Sequence, residues 1–284
     1  MADTITGTQL ATTKQTLISQ MVQKELAFKA KLAAYVTDVS AMSVPGADII
    51  KFPKLTSFTV VNRSEGVAGE RSALTSSTDS LLLDQNAYVS WGIDSMTVLQ
   101  SNINAEVEYA KFAAAAQARY VDSAIITKIR AVAASFINVG SDVNVSYTNL
   151  LTLLEAVEVA DGDISQCAWL VSPAQKNVLM NIAEIKNFYQ YGQATIPSGA
   201  IGFILGVPVV VSNALASKEL FLVEKSGIAL GFQKGAAYDE QKDITLGVNG
   251  KRAVVDQLFG VAGMQLGLKS AGATKSPLVV GLND

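Results

Sequence analysis

Apolar residues recur at three- and four-residue steps through two long stretches of this chain and cluster in shorter runs elsewhere, a pattern that predicts two extended helices among strands. From Thr13 to Tyr35 the positions Leu17, Ile18, Met21, Val22, Phe28, Leu32 and Tyr35 share one face, with Lys14, Gln23, Lys24 and Lys31 on the other. An amphipathic helix of this kind needs a partner surface, in the same chain or in a neighbour. The second stretch, Asn104 to Ala134, is stronger. Asn104 is placed as N-cap, Glu106 and Glu108 favour the helix start, and Val107, Ala110, Ala114, Val121, Ile125, Ile129 and Val132 form an apolar seam. At about 1.5 Å per residue such a helix extends roughly 46 Å. The small Ala113–Ala116 block favours packing against a sheet.

Between the two helices the pattern changes to Phe58, Val60 and Val61, a polar tip from Asn62 to Asp79, then Leu81, Leu82, Leu83, Tyr88, Val89 and Trp91. This predicts a long two-stranded excursion, and a two-stranded ribbon is marginal alone in water, so it must lie on its own domain or on another subunit. Beyond Gly140 the expected elements are a helix at Asn149–Val159, a turn at Asp161–Asp163, a buried strand at Ala168–Val171 and a helix from Ser172-Pro173 to about Asn187. Strands are expected near Val207–Val211 and Leu220–Val223, with a hairpin of Ile244–Val248 and Ala253–Phe259 turning at Asn249-Gly250. The fold class is α+β.

Composition narrows the chemistry. The 284 residues include no histidine, which removes the commonest general base and metal ligand together, and the single Cys167 can form neither an intrachain disulfide nor a zinc site. No phosphate loop stands at Gly250-Lys251, and neither GxSxG nor SxxK occurs. Cys167 sits in an apolar run and reads as an inert thiol. No catalytic, cofactor or metal residue is therefore assigned; a hydrolase using a metal held by distant Asp residues is the contrasting reading. Charged residues make up only 17% of the chain, against about 25% in an average soluble domain, so an unusual share of surface avoids water. The net charge of −3 gives no basic field for nucleic acid. The apolar run Ala200–Val211 is shorter than the roughly 20 residues a spanning helix needs, and Met1–Thr4 open no leader pattern, so no membrane association is expected.

The order of parts resembles the major capsid protein of tailed bacteriophages with its HK97-like fold. The resemblance is carried by Ser80–Asp94 (SLLLDQNAYVSWGID) leading into Asn104–Arg130 (NAEVEYAKFAAAAQARYVDSAIITKIR) with Asp122 late in the helix, and by Trp169–Leu179, Gly202–Asn213 and Phe221–Phe232. It implies an N-terminal arm at 1–48, an E-loop at 49–93, a P domain at 94–143 and 239–268 containing the long helix, an A domain at 144–238, and a C-terminal tail at 269–284. It implies a non-enzymatic shell protein that needs no cofactor and assembles with itself as hexamers and pentamers into an icosahedral container for double-stranded DNA, which it touches weakly and without sequence specificity. Scaffold, portal and decoration proteins are the further partners, the virion is the location, and assembly takes place in the host cytoplasm. Arg63, Glu65, Glu70 and Arg71 at the ribbon tip, with Leu17, Met21 and Phe28 on the arm helix, are the expected subunit-interface residues. An encapsulin-like nanocompartment, which shares the fold, is the alternative; a small cytoplasmic binding module is the plainer one.

Overall fold

Cys167–Val171 and Leu220–Glu224 are buried at every position, which a strand satisfies only when both faces of its sheet are covered. The computed structural model shows how. It describes residues 17–25, 30–55, 62, 65, 76–94, 105–138, 145–159, 162–185, 202–217, 219–246, 250–263 and 276–283. The strands are β1 Thr37–Asp38, β2 Ile49–Leu55, β3 Ser76–Leu82, β4 Gln85–Ile93, β5 Ala133–Asn138, β6 Cys167–Val171, β7 Phe203–Ile204, β8 Val207–Val211, β9 Leu220–Glu224, β10 Ile228–Lys242, β11 Lys251–Gly263 and β12 Ser276–Asn283. They form a four-stranded sheet ordered β1-β10-β11-β4, a six-stranded sheet ordered β5-β12-β9-β6-β8-β7, and the β2-β3 ribbon.

Alternation along β6 and β9 divides the interior into two cores. Trp169, Val171, Leu220 and Leu222 face Leu150, Leu153, Leu154 and Val157 of the helix Tyr147–Val159, while Ala168, Leu170, Phe221 and Val223 face Val121, Ile125 and Ile129 of the long helix. Trp169 is fully buried and its indole Nε1–H donates to the Ile204 carbonyl at 3.1 Å, so the ring is packed without an orphaned donor. Ser172 caps the next helix, Pro173–Asn181, by accepting from the Gln175 N–H, as its Ser-Pro start predicts.

The long helix, Ala105–Val132, matches the expected span within two residues and passes directly into β5. Ala110, Ala113, Ala114 and Ala118 are buried, and the absence of bulk there lets the helix settle close on β10 and β11. Three sequence expectations need correction. The arm does not continue as one helix to Tyr35: residues 17–25 are helical, but by Lys31 and Leu32 the backbone N–H groups donate to the carboxylate of Asp122 instead of to a preceding turn, and only a short 3-10 turn follows at Ala33–Tyr35. The helix from Pro173 is interrupted at Ile182, which is extended, before residues 183–185 turn helical again; Asn187 lies outside the described residues. The closing hairpin joins β10 to β11 with Lys242 paired to Lys251; Ile244–Leu246 is a 3-10 turn, held where the Asp243 carboxylate accepts from the Thr245 N–H and the Asp243 N–H donates to the Gly250 carbonyl. Within the segment expected as a tail, Ser276–Asn283 is β12, between β5 and β9. Strand β10 runs unbroken across residues 238 and 239, where two of the expected regions meet.

The root of the ribbon is also fixed by its own molecule. Ile50, Phe52, Leu81 and Leu83 are buried with Val39, Ala229 and Ala262. Gly231 and Gly260 are register partners in β10 and β11 and open the groove that receives this root: a Cβ on Gly260 would overlap the Leu82 carbonyl, and one on Gly231 would stand 3.3 Å from Ile50. Of the two surfaces on which the ribbon could lie, its root takes that of its own molecule. Gly260→Ala is expected to lower Tm by roughly 3–10 °C, since overpacking against fixed backbone costs about 1–3 kcal/mol. Gly202→Ala, with nothing within 4 Å of the added Cβ, is the control that should move Tm by under about 1 °C in the same circular-dichroism melt.

Candidate assembly surfaces

The sequence-predicted interface residues divide three ways. Arg63, Glu70, Arg71 and Phe28 lie outside the described residues; Glu65 is described and exposed. Of the arm helix, Ile18 and Val22 are buried against Ala110, Ala113, Ala114, Tyr238 and Val255, and Ser19 Oγ both donates to the Tyr238 carbonyl and accepts its N–H. That leaves Leu17 59% exposed and Met21 half-buried on the adjoining face. The partner surface for the buried half of the arm helix is therefore in the same chain.

Four further apolar features face outward that periodicity alone does not single out. Ile49 and Leu82 are register partners on the outer side of the ribbon root, opposite the buried Ile50 and Leu81. Tyr109 and Phe112 line the outer face of the long helix, Phe112 being 69% exposed. Met42 and Val44 project from the loop before β2. At the β7–β8 turn, Phe203 and Leu205 are exposed, and Leu205 holds φ +52° beside Gly206 at φ +81°. A leucine in the left-handed region costs roughly 1–2 kcal/mol relative to ordinary backbone. An exposed, strained leucine where glycine or asparagine would sit more easily is a position chosen for something other than the stability of the lone chain. The readable signal is the Leu-Gly pair between two apolar runs.

Electrostatics at these surfaces is structural in character. Arg130, at the end of the long helix, makes a two-pronged pair with Glu219, Nε to Oε1 at 2.7 Å and Nη2 to Oε2 at 2.6 Å, and Glu219 also accepts the Ala216 N–H. Burial alone would raise the Glu219 pKa, but the Arg130 hydrogen bond, the Ala216 N–H and the guanidinium charge outweigh it and hold the carboxyl below its usual range. A depressed folded-state value means the pair contributes fully above the unfolded-state pKa and is lost as pH falls through the folded one. Glu219→Gln should therefore cost about 1 kcal/mol at neutral pH, Arg130 being partly solvated, and the gap from the parent protein should close on acidification. Urea melts at several pH values check it.

Nothing in the described residues assembles into a reaction centre. No group of three or more Cys, Asp or Glu is placed to hold a metal ion among them. Cys167 is buried, donates to the Asp163 carbonyl at 3.4 Å, and burial with the Glu224 and Asp163 charges pushes its thiol up to about 12, the reverse of an activated nucleophile. A cavity of about 380 Å³ beside the β7–β8 turn is lined by Tyr147, Ile185, Phe203, Ile204 and Leu205, with Glu184 its one carboxylate among the described lining. No helix of the described residues is long and apolar enough to cross a membrane.

No family model matches the sequence, and no curated protein does. Solved structures do match. A structure from Mycobacterium phage Che8 is 18% identical with TM-score 0.71, covering 89% of this chain and 90% of that one. The capsid structure of the cyanophage P-SCSP1u is 13% identical with TM-score 0.68, covering 89% and 88%. The crystal structure of a virus-like particle from Pyrococcus furiosus is 9% identical with TM-score 0.61, covering 95% and 99%. The chain has this α+β, HK97-like architecture over most of its length.

Proposed function

We propose that this chain is a major capsid protein, a non-catalytic subunit that assembles with copies of itself, as hexamers and pentamers, into an icosahedral phage shell around double-stranded DNA. The observation that carries the reading is correspondence with two phage capsid structures over 85–89% of both chains. The physical character of the surface supports it: low charge, outward Leu17, Ile49, Leu82, Tyr109, Phe112 and Phe203, and a strained Leu205. Each contact can be weak, because a subunit makes many at once. In this reading residues 1–48 are the arm, 49–93 the E-loop, 94–143 with 239–268 the P domain, 144–238 the A domain and 269–284 the closing segment; scaffold, portal and decoration proteins are partners, and assembly occurs in the host cytoplasm. Expression alone and with phage assembly proteins, followed by negative-stain microscopy, tests it. Closed shells or hexameric and pentameric rings are expected, and a monodisperse monomer under all conditions refutes it.

One specific observation favours a second reading. The Pyrococcus virus-like particle covers 99% of its own chain against this one, which suits an encapsulin-like nanocompartment. Shells purified with a protein cargo and no nucleic acid would favour that alternative. Under either reading Leu205→Gly should raise the Tm of the isolated subunit by roughly 2–4 °C through relief of backbone strain while lowering the yield of shells. A variant that melts higher and assembles as well as the parent would remove Leu205 from the assembly surface.

A further inference from the structure

Gln117 projects from the long helix onto the β4–β11 ladder, where its Nε2 donates to the carbonyls of Val255 at 2.8 Å and Ala87 at 3.3 Å. Gln257 of β11 is the register partner of that same Ala87 and lies two residues from Val255, so the two amides occupy one site between helix and sheet. Each residue is 1% exposed. Yet Gln117 Oε1, Gln257 Oε1 and Gln257 Nε2 are all buried without a hydrogen-bond partner. Three such atoms at one place are unusual, because buried polar groups in native proteins are almost always satisfied. The neighbouring side chains, Ala113, Ala114 and Ala118 on the helix and Ala87 across the ladder from Gln257, carry no polar group that could reach these atoms.

We propose that one ordered water molecule is bound here and bridges the long helix to β11. Its two hydrogens go to Gln117 Oε1 and Gln257 Oε1, and its oxygen accepts from Gln257 Nε2; three bonds is the usual coordination of a buried water. Gln117 already anchors the helix directly to the Val255 and Ala87 carbonyls, and the water extends that anchor to Gln257 of β11. This inference stands apart from the assembly reading and holds for the single subunit.

The test is a map of the intact protein at about 2 Å or better together with Tm measurements on Gln257→Leu, Gln117→Leu and the double variant. Expected are density for one water within hydrogen-bond distance of all three atoms, a Tm loss of roughly 3–6 °C for Gln257→Leu as the bridge disappears, and a double variant no worse than the poorer single. If Gln117→Leu fails to fold, the map and Gln257→Leu still decide. A dry site in the map overturns the proposal, and so does a Gln257→Leu protein that melts higher than the parent, as removal of a merely orphaned amide would produce.

Discussion

Replacing residues 56–75 with Asn-Gly is expected to leave a folded subunit that forms no shells. The pairing of β2 with β3 ends at Leu55 and Ser76, directly opposite each other, so a two-residue turn can close the shortened ribbon, and Asn-Gly supplies the positive φ values that such a turn needs. Ile50, Phe52, Leu81 and Leu83 keep their contacts with Val39, Ala229 and Ala262, and so the monomer's circular dichroism and Tm should stay within a few degrees of the parent. What is removed includes Arg63, Glu65, Glu70 and Arg71. Shell yield by negative stain should fall by at least tenfold, since a lattice contact repeated on every subunit is lost everywhere at once. Reversing those four charges instead should slow assembly and change its salt dependence with a smaller loss, because rim charges act mostly on encounter and register. Unfolding of the shortened chain would place the excursion in the subunit's own core; unimpaired shells would mean that the ribbon does not link neighbours.

Asp122→Ala is expected to give the largest loss of stability among single surface-sparing substitutions, roughly 6–12 °C in Tm. The carboxylate is 7% exposed and accepts the N–H groups of Lys31 at 3.3 Å and Leu32 at 3.1 Å, so its removal orphans two backbone donors, at about 3 kcal/mol in total. The arm should then be cut by protease between residues 25 and 36 well before the body of the protein is attacked. Asp122→Asn keeps one acceptor and should lose less than half as much. Burial raises the Asp122 pKa above its ordinary value, with the Leu32 and Lys31 N–H groups and the Lys31 charge opposing. A raised folded-state value stabilises the protein most fully below the unfolded-state pKa, and that contribution declines as pH rises through the folded one, opposite in sign to Glu219. Comparing Asp122→Asn with Glu219→Gln across acidic pH should therefore show the two differences from the parent protein changing in opposite directions.

Elements whose local pattern agrees with their burial are legible in the order of amino acids alone. Of the expected seam of the long helix, Ala110, Ala114, Val121, Ile125 and Ile129 are fully buried and the end positions Val107 and Val132 half-buried, while every residue of Cys167–Val171 is buried. Strand β10 is not legible beyond Phe232, because two register shifts break its alternation just where Gln233, Lys234 and Gly235 remove the apolar signal. Ser276–Asn283 falls in the segment that the resemblance leaves as a tail, and its place between β5 and β9 is decided by partners far away in sequence. The same holds for the surfaces. Asp122 with Leu32, Arg130 with Glu219 and Gln117 with Val255 are contacts across 89 or more residues, and no local period encodes them.

The location of β12 also dictates a timetable. Strand β5 follows the long helix without a loop, and its neighbour in the sheet is β12, more than 130 residues later in translation. A growing chain can pack the far end of the long helix on β6 and β9 once those strands have emerged, but β5 itself has no neighbour in that sheet until β12 follows. Seating β12 between β5 and β9 is therefore a long-range closure, and the rate at which that side of the sheet forms is expected to limit folding of the subunit.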